Sequence, residues 1–198
     1  MKILAFVDTH GSSLAIKKIQ EKAKKKDVEL LICAGDISVF EQDIERIIKK
    51  LDSIGKPLLI LPGNHESEKH LRELAARTKN IVYIHKGMLK IKGYTFIGFS
   101  GNGFSQKDAE FEVWARKVER ELKKSDKVVL ITHAPPHKTR LDNIAGSHCG
   151  SRSIRRFIEK VDILLAVSGH IHENAGAEDV IKNTKVVNPG PFGKVFEI

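Results

Sequence analysis

The chain has 198 residues, an apolar fraction of 41% and a net charge of +9. That length suits one domain over residues 1–198 with a sizeable core, and the apolar content excludes a disordered chain. No apolar run approaches the roughly 18–20 residues of a membrane span. The opening Met1-Lys2 and the apolar residues up to Val7 are too short for a signal-peptide core, so a cytoplasmic protein is the expectation. Two cysteines, Cys33 and Cys149, without CxxC spacing argue against a disulfide framework, and Cys33 reads as a small core hydrophobe.

Strand and helix patterns alternate from the start. Ile3–Val7 reads as a buried strand, followed by a helix over Ser13–Lys25 with Leu14, Ile16, Ile19 and Ala23 at helical spacing. Leu30–Ala34 is the second strand. Ser38-Val-Phe-Glu41 reads as a capping box that opens a helix carrying Ile44, Ile47, Ile48 and Leu51. Leu58–Leu61 is the third strand, and a helix follows over Ser67–Arg77. The middle changes character, because Ile81–Ile84, Met88–Ile91 and Tyr94–Phe99 are short β runs, the last two forming a hairpin about Lys92-Gly93. Ser105-Gln-Lys-Asp108 is expected to open a long charged helix to about Lys124. Val128–Ile131 and Ile163–Val167 are further strands, with a helix over Ser151–Lys160 between them. The tail from Val180 reads as short strands around an Asn188-Pro189-Gly190 turn. The expected fold class is α/β, a four-layer αββα sandwich of two mixed β-sheets packed face to face with helices outside.

Five of the apolar runs end in residues that bind metals: Asp8-Thr-His10, Gly35-Asp36, Gly63-Asn64-His65-Glu66, Thr132-His133 and Gly169-His170-Ile171-His172. Ligands and catalytic groups gather at the carboxyl ends of strands in open α/β sheets. Each block alone is an ordinary turn or a satisfied histidine, but five together point to a dinuclear metal site. Carboxylate, amide and imidazole donors without thiolate suit manganese, iron, zinc, nickel or cobalt. Asp36 can bridge two cations with its two oxygens. Two divalent cations set against Asp8, Asp36 and one hydroxide leave a net positive core that attracts a phosphate anion.

These five blocks, in this order from Asp8 to the Asn188-Pro189-Gly190 segment, resemble the calcineurin-like metallophosphoesterases, and within them the small prokaryotic and archaeal enzymes. The resemblance implies that Asp8, His10, Asp36 and His172 hold one metal, and that Asp36, Asn64, His133 and His170 hold the other. Manganese is expected first, with magnesium also in range. It further implies a phosphodiesterase, hydrolysing a small-molecule phosphate ester by in-line attack of a bridging hydroxide, with a monoesterase as the alternative. Asp36, Asn64 and His65 are the catalytic set, His65 facing the leaving oxygen and Glu66 orienting its ring. The family often writes Gly-Asp-x-x-[Asp/Glu/Arg] where this chain has Gly35-Asp36-Ile37-Ser38, a departure that bears on substrate subgroup. A catalytically silent scaffold, as in the retromer subunit of this family, is the rival, and the presence of every matched ligand weighs against it.

Lys17, Lys18, Lys22, Lys24, Lys25 and Lys26 crowd the first helix. A solvated helix face explains them better than nucleic-acid binding, since aromatic residues are scarce and no stacking platform is visible. A homo-oligomer is compatible with the sequence. The loops Asn102–Ser105 and His137–Gly150 are expected to set substrate choice. His148, just before a basic helix whose free N–H groups could bind phosphate, is the candidate substrate-binding residue. His70, His85 and His137 match no block and read as surface or loop histidines.

Overall fold

A computed structural model of the protein describes residues 1–101 and 103–198. The first half runs β1 (Lys2–Phe6), α1 (Ser13–Ala23), β2 (Val28–Cys33), α2 (Ile44–Asp52), β3 (Leu58–Ile60), α3 (Glu68–Ala76) and β4 (Ile81–Tyr83). The second runs β5 (Gly87–Ile91), β6 (Tyr94–Phe99), α4 (Ala109–Glu121), β7 (Lys127–Thr132), β8 (Asn143–Ile144), β9 (Ser147–His148), α5 (Arg152–Lys160) and β10 (Ile163–Val167). A single 3₁₀ turn (His172–Asn174), β11 (Glu178–Ile181), β12 (Thr184–Val187) and β13 (Lys194–Glu197) complete it. No helix among the described residues is long and apolar enough to cross a membrane.

One sheet has the order β13-β1-β2-β3-β4, with β1 to β4 parallel and β13 antiparallel to β1. The other has the order β11-β12-β10-β7-β6-β5, a parallel centre with antiparallel edges. Period-two alternation decides what each face of β1 meets. Leu4 and Phe6 pack with Ile16 and Ile19 of α1 and with Ile47 and Ile48 of α2. Ile3, Ala5 and Val7 pack instead against Phe96, Val129, Ile131 and Val167 of the second sheet. Helices α4 and α5 cover the far face through Phe111, Trp114 and Phe157. The layers are therefore helix, sheet, sheet, helix, as expected.

Several local expectations need correcting. Ser38 and Glu41 cap no helix: α2 opens at Asp43, in left-handed backbone and without a side-chain cap bond. Both residues are recruited elsewhere, Ser38 by Glu66 and Glu41 by Ser67. Helix α4 is capped by Asp108 rather than Ser105, whose hydroxyl turns to the Lys107 carbonyl. Leu14 is exposed, and Ala15 takes the buried position beside Ile16. His85 and His137 are buried, because each has a polar partner inside: the His85 Nδ1 accepts the Ser100 N–H at 2.8 Å, and His137 lies 3.4 Å from the buried Asp142.

Candidate metal centre

Every expected donor lies in a loop leaving the carboxyl end of a strand: Asp8 and His10 after β1, Asp36 after β2, Asn64 and His65 after β3, His133 after β7, His170 and His172 after β10. Backbone hydrogen bonds lace these loops together, Asp8 N to Gly35 O (3.1 Å), His10 N to Asp36 O (3.0 Å) and Gly169 N to His133 O (2.9 Å). Asp8, His10, Asp36 and His170 all sit in left-handed backbone, with φ of 55°, 43°, 51° and 71°. Such conformations are uncommon outside glycine and cluster where a site over-determines them. The glycines beside them are needed for close approach. A Cβ at Gly63 would lie 2.6 Å from the Asp36 nitrogen and overlap its carboxylate; one at Gly169 would lie 2.8 Å from Asp8 Oδ2.

Donor atoms of Asp8, His10, Asp36 and His172 all lie within 4.8 Å of one another. This is the same foursome that the family resemblance assigns to one cation. The other set meets beside it. Asn64 Oδ1 lies 3.0 Å from His133 Nε2 and 2.9 Å from His170 Nδ1, and His133 Nε2 lies 3.3 Å from Asp36 Oδ2.

Tautomers sharpen the picture. His133 Nδ1 reaches the Ala34 carbonyl at 2.9 Å and His10 Nδ1 reaches the Ser38 carbonyl at 3.2 Å. A carbonyl only accepts, so both rings carry hydrogen on Nδ1 and turn Nε2, the atom able to bind a cation, inward. His10 Nε2 then faces His172 Nε2 at 2.9 Å. Asp8 Oδ1 is buried with no hydrogen-bond partner among the described residues. Nε2 atoms turned inward beside the unpartnered Asp8 oxygen and the Asp36 carboxylate make a nitrogen and oxygen donor set that fits divalent metal ions.

The charges are held accordingly. Burial opposes ionisation of Asp36, but the His133 hydrogen bond and charge, with the His65 N–H, hold its carboxyl down at about 2. Burial, with the Asp36 charge adding to it, raises the Asp8 carboxyl. Burial and the neighbouring His133 charge push His170 down to about 4, where its imidazole is neutral near pH 7.

Glu66 does not orient His65. Its carboxylate is buried and accepts the N–H groups of Asp36 (2.9 Å), Ser38 (3.0 Å) and Gly63 (3.0 Å), with the Ser38 hydroxyl at 2.7 Å. It therefore bolts the Asp36 loop to the Asn64 loop. His65 is instead set by Phe40, whose N–H reaches His65 Nδ1 at 3.2 Å. Two asparagines also support the site, Asn188 of the Asn-Pro-Gly turn and Asn174, which no motif includes. Asn188 braces the Gly190 N–H (3.0 Å) and the Ile171 carbonyl (3.4 Å) between the two histidines. Asn174 binds the carbonyls of Leu141 (3.0 Å) and Asn143 (2.9 Å), tying the β8–β9 hairpin to the His170–His172 segment. Their signal is a side-chain contact across distant loops, which a single sequence does not display.

His148 lies on β9 with Nδ1 2.7 Å from Asp142 Oδ1. The free helix terminus expected after it is not there. The Ser151 N–H goes to Pro135 O, the Arg152 N–H to Gln106 O and the Ile154 N–H to Ser151 Oγ, so most of the donors at the start of α5 are engaged. Asn102, which opens the other expected substrate loop, lies outside the described residues.

A two-sheet sandwich with carboxylate and imidazole donors gathered at its strand ends defines a class of metal-binding α/β proteins. The chain belongs to the calcineurin-like phosphoesterase family, whose model matches residues 1–174. An uncharacterized protein of Methanocaldococcus jannaschii is 32% identical over 96% of this chain and 88% of its own length. Among solved structures, a dimetal phosphatase from Danio rerio aligns with a TM-score of 0.69 at 10% identity, covering 94% of this chain and 86% of that one. An archaeal phosphodiesterase aligns with a TM-score of 0.52 at 17% identity, covering 96% and 84%. At these identities the structural likeness concerns the fold.

Proposed function

We propose that this chain hydrolyses a phosphodiester with the help of two divalent cations, manganese being the first to try. The observation that carries this reading is the convergence of Asp8, His10, Asp36, Asn64, His133, His170 and His172 from five strand ends, with their donor atoms facing one another. Asp8, His10, Asp36 and His172 would hold one cation, and Asp36, Asn64, His133 and His170 the other. When bound, such a pair lowers the pKa of a shared water and clamps the phosphoryl oxygens during an in-line displacement.

The protein's own groups supply the rest. His65 Nδ1 is occupied by the Phe40 N–H, so the neutral ring carries its hydrogen on Nε2. That N–H is the group to donate to the leaving oxygen as its bond to phosphorus breaks. Asp36 is fixed at Oδ1 by the His65 N–H at 3.0 Å and at its own N–H by Glu66, which keeps the His65 imidazole and the carboxylate that would serve both cations in register. The diester is put before the monoester because the motif set resembles the small prokaryotic and archaeal enzymes of the family, and a monoester is the alternative. His148, on β9, is kept as the candidate substrate-binding residue. A raised KM in His148→Ala with metal content intact supports that, and unchanged kinetics removes it.

The test is turnover of a chromogenic aryl phosphodiester, and of the matching monoester, by metal-stripped protein with and without Mn²⁺. Diester turnover that requires the metal supports the proposal, and faster monoester turnover moves it to a phosphatase. No turnover with metal bound favours a scaffold on the same fold. His65→Ala should lower kcat by about 10²–10⁴-fold with both metals retained.

A further inference from the structure

The turn from Ser38 to Asp43 departs from what packing alone would produce. Phe40 is 78% exposed, yet its backbone is left-handed with φ of 46°, followed by Glu41 at 63° and Asp43 at 56°. A bulky side chain in that region is an outlier, and an exposed phenylalanine gains little from being there. The turn is nonetheless fastened at both ends to the segment carrying His65. Ser38 is tied to Glu66, and Glu41 accepts the Ser67 N–H at 2.8 Å while its other oxygen lies 3.1 Å from His70. The product is an aromatic ring held 4.4 Å from the His65 ring at 57°, with its remaining face in solvent.

A second ring repeats the arrangement at the other end of the imidazole array. Phe104 is 60% exposed and lies 4.4 Å from the His170 ring. Between the two phenylalanines the rings run from His65 through His10 to His172 on one side and from His170 to His133 on the other. The sequence suggests no stacking platform because these residues are 64 positions apart, counted from 40 to 104.

We infer that Phe40 determines specificity by stacking on a planar leaving group, so that the preferred ester is one whose departing alcohol bears an aromatic ring, as a phenol or a nucleoside does. This inference rests on the phosphoesterase reading, because it is the leaving-group role of His65 that makes the adjacent ring a leaving-group wall. Stacking suits this task because it accepts any flat π face and needs no hydrogen-bond match.

The test measures binding without turnover. Phenylphosphonate and methylphosphonate, which present the same anion with and without a planar group, are titrated calorimetrically into protein loaded with two equivalents of Mn²⁺. Wild type should bind phenylphosphonate the tighter by on the order of 10-fold, and Phe40→Ala should abolish that preference while leaving methylphosphonate affinity and metal content unchanged. Phe40→Tyr, which keeps the ring, should restore it. A preference that survives Phe40→Ala, or is absent from wild type, overturns the inference and leaves the metal-hydrolase reading standing. If neither phosphonate binds the metal-loaded wild type, that reading itself fails and the inference goes with it.

Discussion

Gly63 and Asp36 are in contact across the ends of β3 and β2, so closely that the glycine has no room for a single added carbon. The lost space would come from the Asp36 carboxylate, the group shared by both proposed cations. Gly63→Ala should therefore shift that carboxylate, weaken metal binding by about 10–100-fold and destabilise the protein by about 2–4 kcal/mol. Metal titration and urea unfolding of the same variant measure the two effects separately.

Glu66 accepts four hydrogen bonds from the Asp36, Ser38 and Gly63 region in a buried setting. In Glu66→Gln one acceptor oxygen becomes an NH₂ that faces N–H donors. The expected loss is about 2–4 kcal/mol in urea denaturation without added metal. A loss below about 0.5 kcal/mol would mean that the two loops are held by something else.

His85 gives a pH dependence away from the proposed ligands. Its Nδ1 accepts the Ser100 N–H, and burial lowers its pKa despite the opposing Glu68 carboxylate. The unfolded chain takes up this proton near the ordinary value of about 6.5, before the folded one does. Stability contributed here is thus present above that value and is lost as pH falls through it toward the folded pKa. His85→Gln, whose amide oxygen can still accept from Ser100, should show a shallower fall in urea midpoint between pH 7.5 and pH 5.5 than wild type.

Cys33 is wholly buried, and burial drives its thiol well above the ordinary range, whereas Cys149 is partly exposed. A thiol reagent should label one site per chain in the folded protein and two in urea. Mass spectrometry of the native adduct should place it on Cys149; label on Cys33 would contradict the buried β2 strand.

Mn²⁺ should bind between the inward-facing donor atoms of His10, His172, His133 and Asn64 and stabilise the fold. Saturation at about 100 times the dissociation constant adds about 2.7 kcal/mol, read as a rise in Tm that chelator reverses. His172→Ala should reduce the rise.

Much of this architecture is legible in the residues. The strand runs are short, apolar and bounded by turn residues, so Ile163–Val167 is recovered residue for residue and the other motif strands to within about two residues. The motif residues are legible because each follows such a run. What escapes is whatever depends on two distant loops meeting. Ser38 and Glu41 have the pattern of a capping box, but Glu66 and Ser67 compete for the same side chains and win. Helix α5 looks like an anion site until Pro135 and Gln106 supply acceptors for its first N–H groups. His85 looks peripheral because its partner Ser100 lies 15 residues on.

The alternation of β1 has a bearing on how this site tolerates change. Ile3 and Ala5 enter the space between the sheets, Leu4 and Phe6 meet the helices, and the strand gives way to the loop carrying Asp8. Inserting one residue between Lys2 and Phe6 would exchange the two sets and turn the Asp8 side of the chain end away from Asp36. Inserting two would preserve the faces and only lengthen the strand. The reading frame of five buried residues thus governs where a carboxylate ends up, and pairs of insertions should be borne far better than single ones.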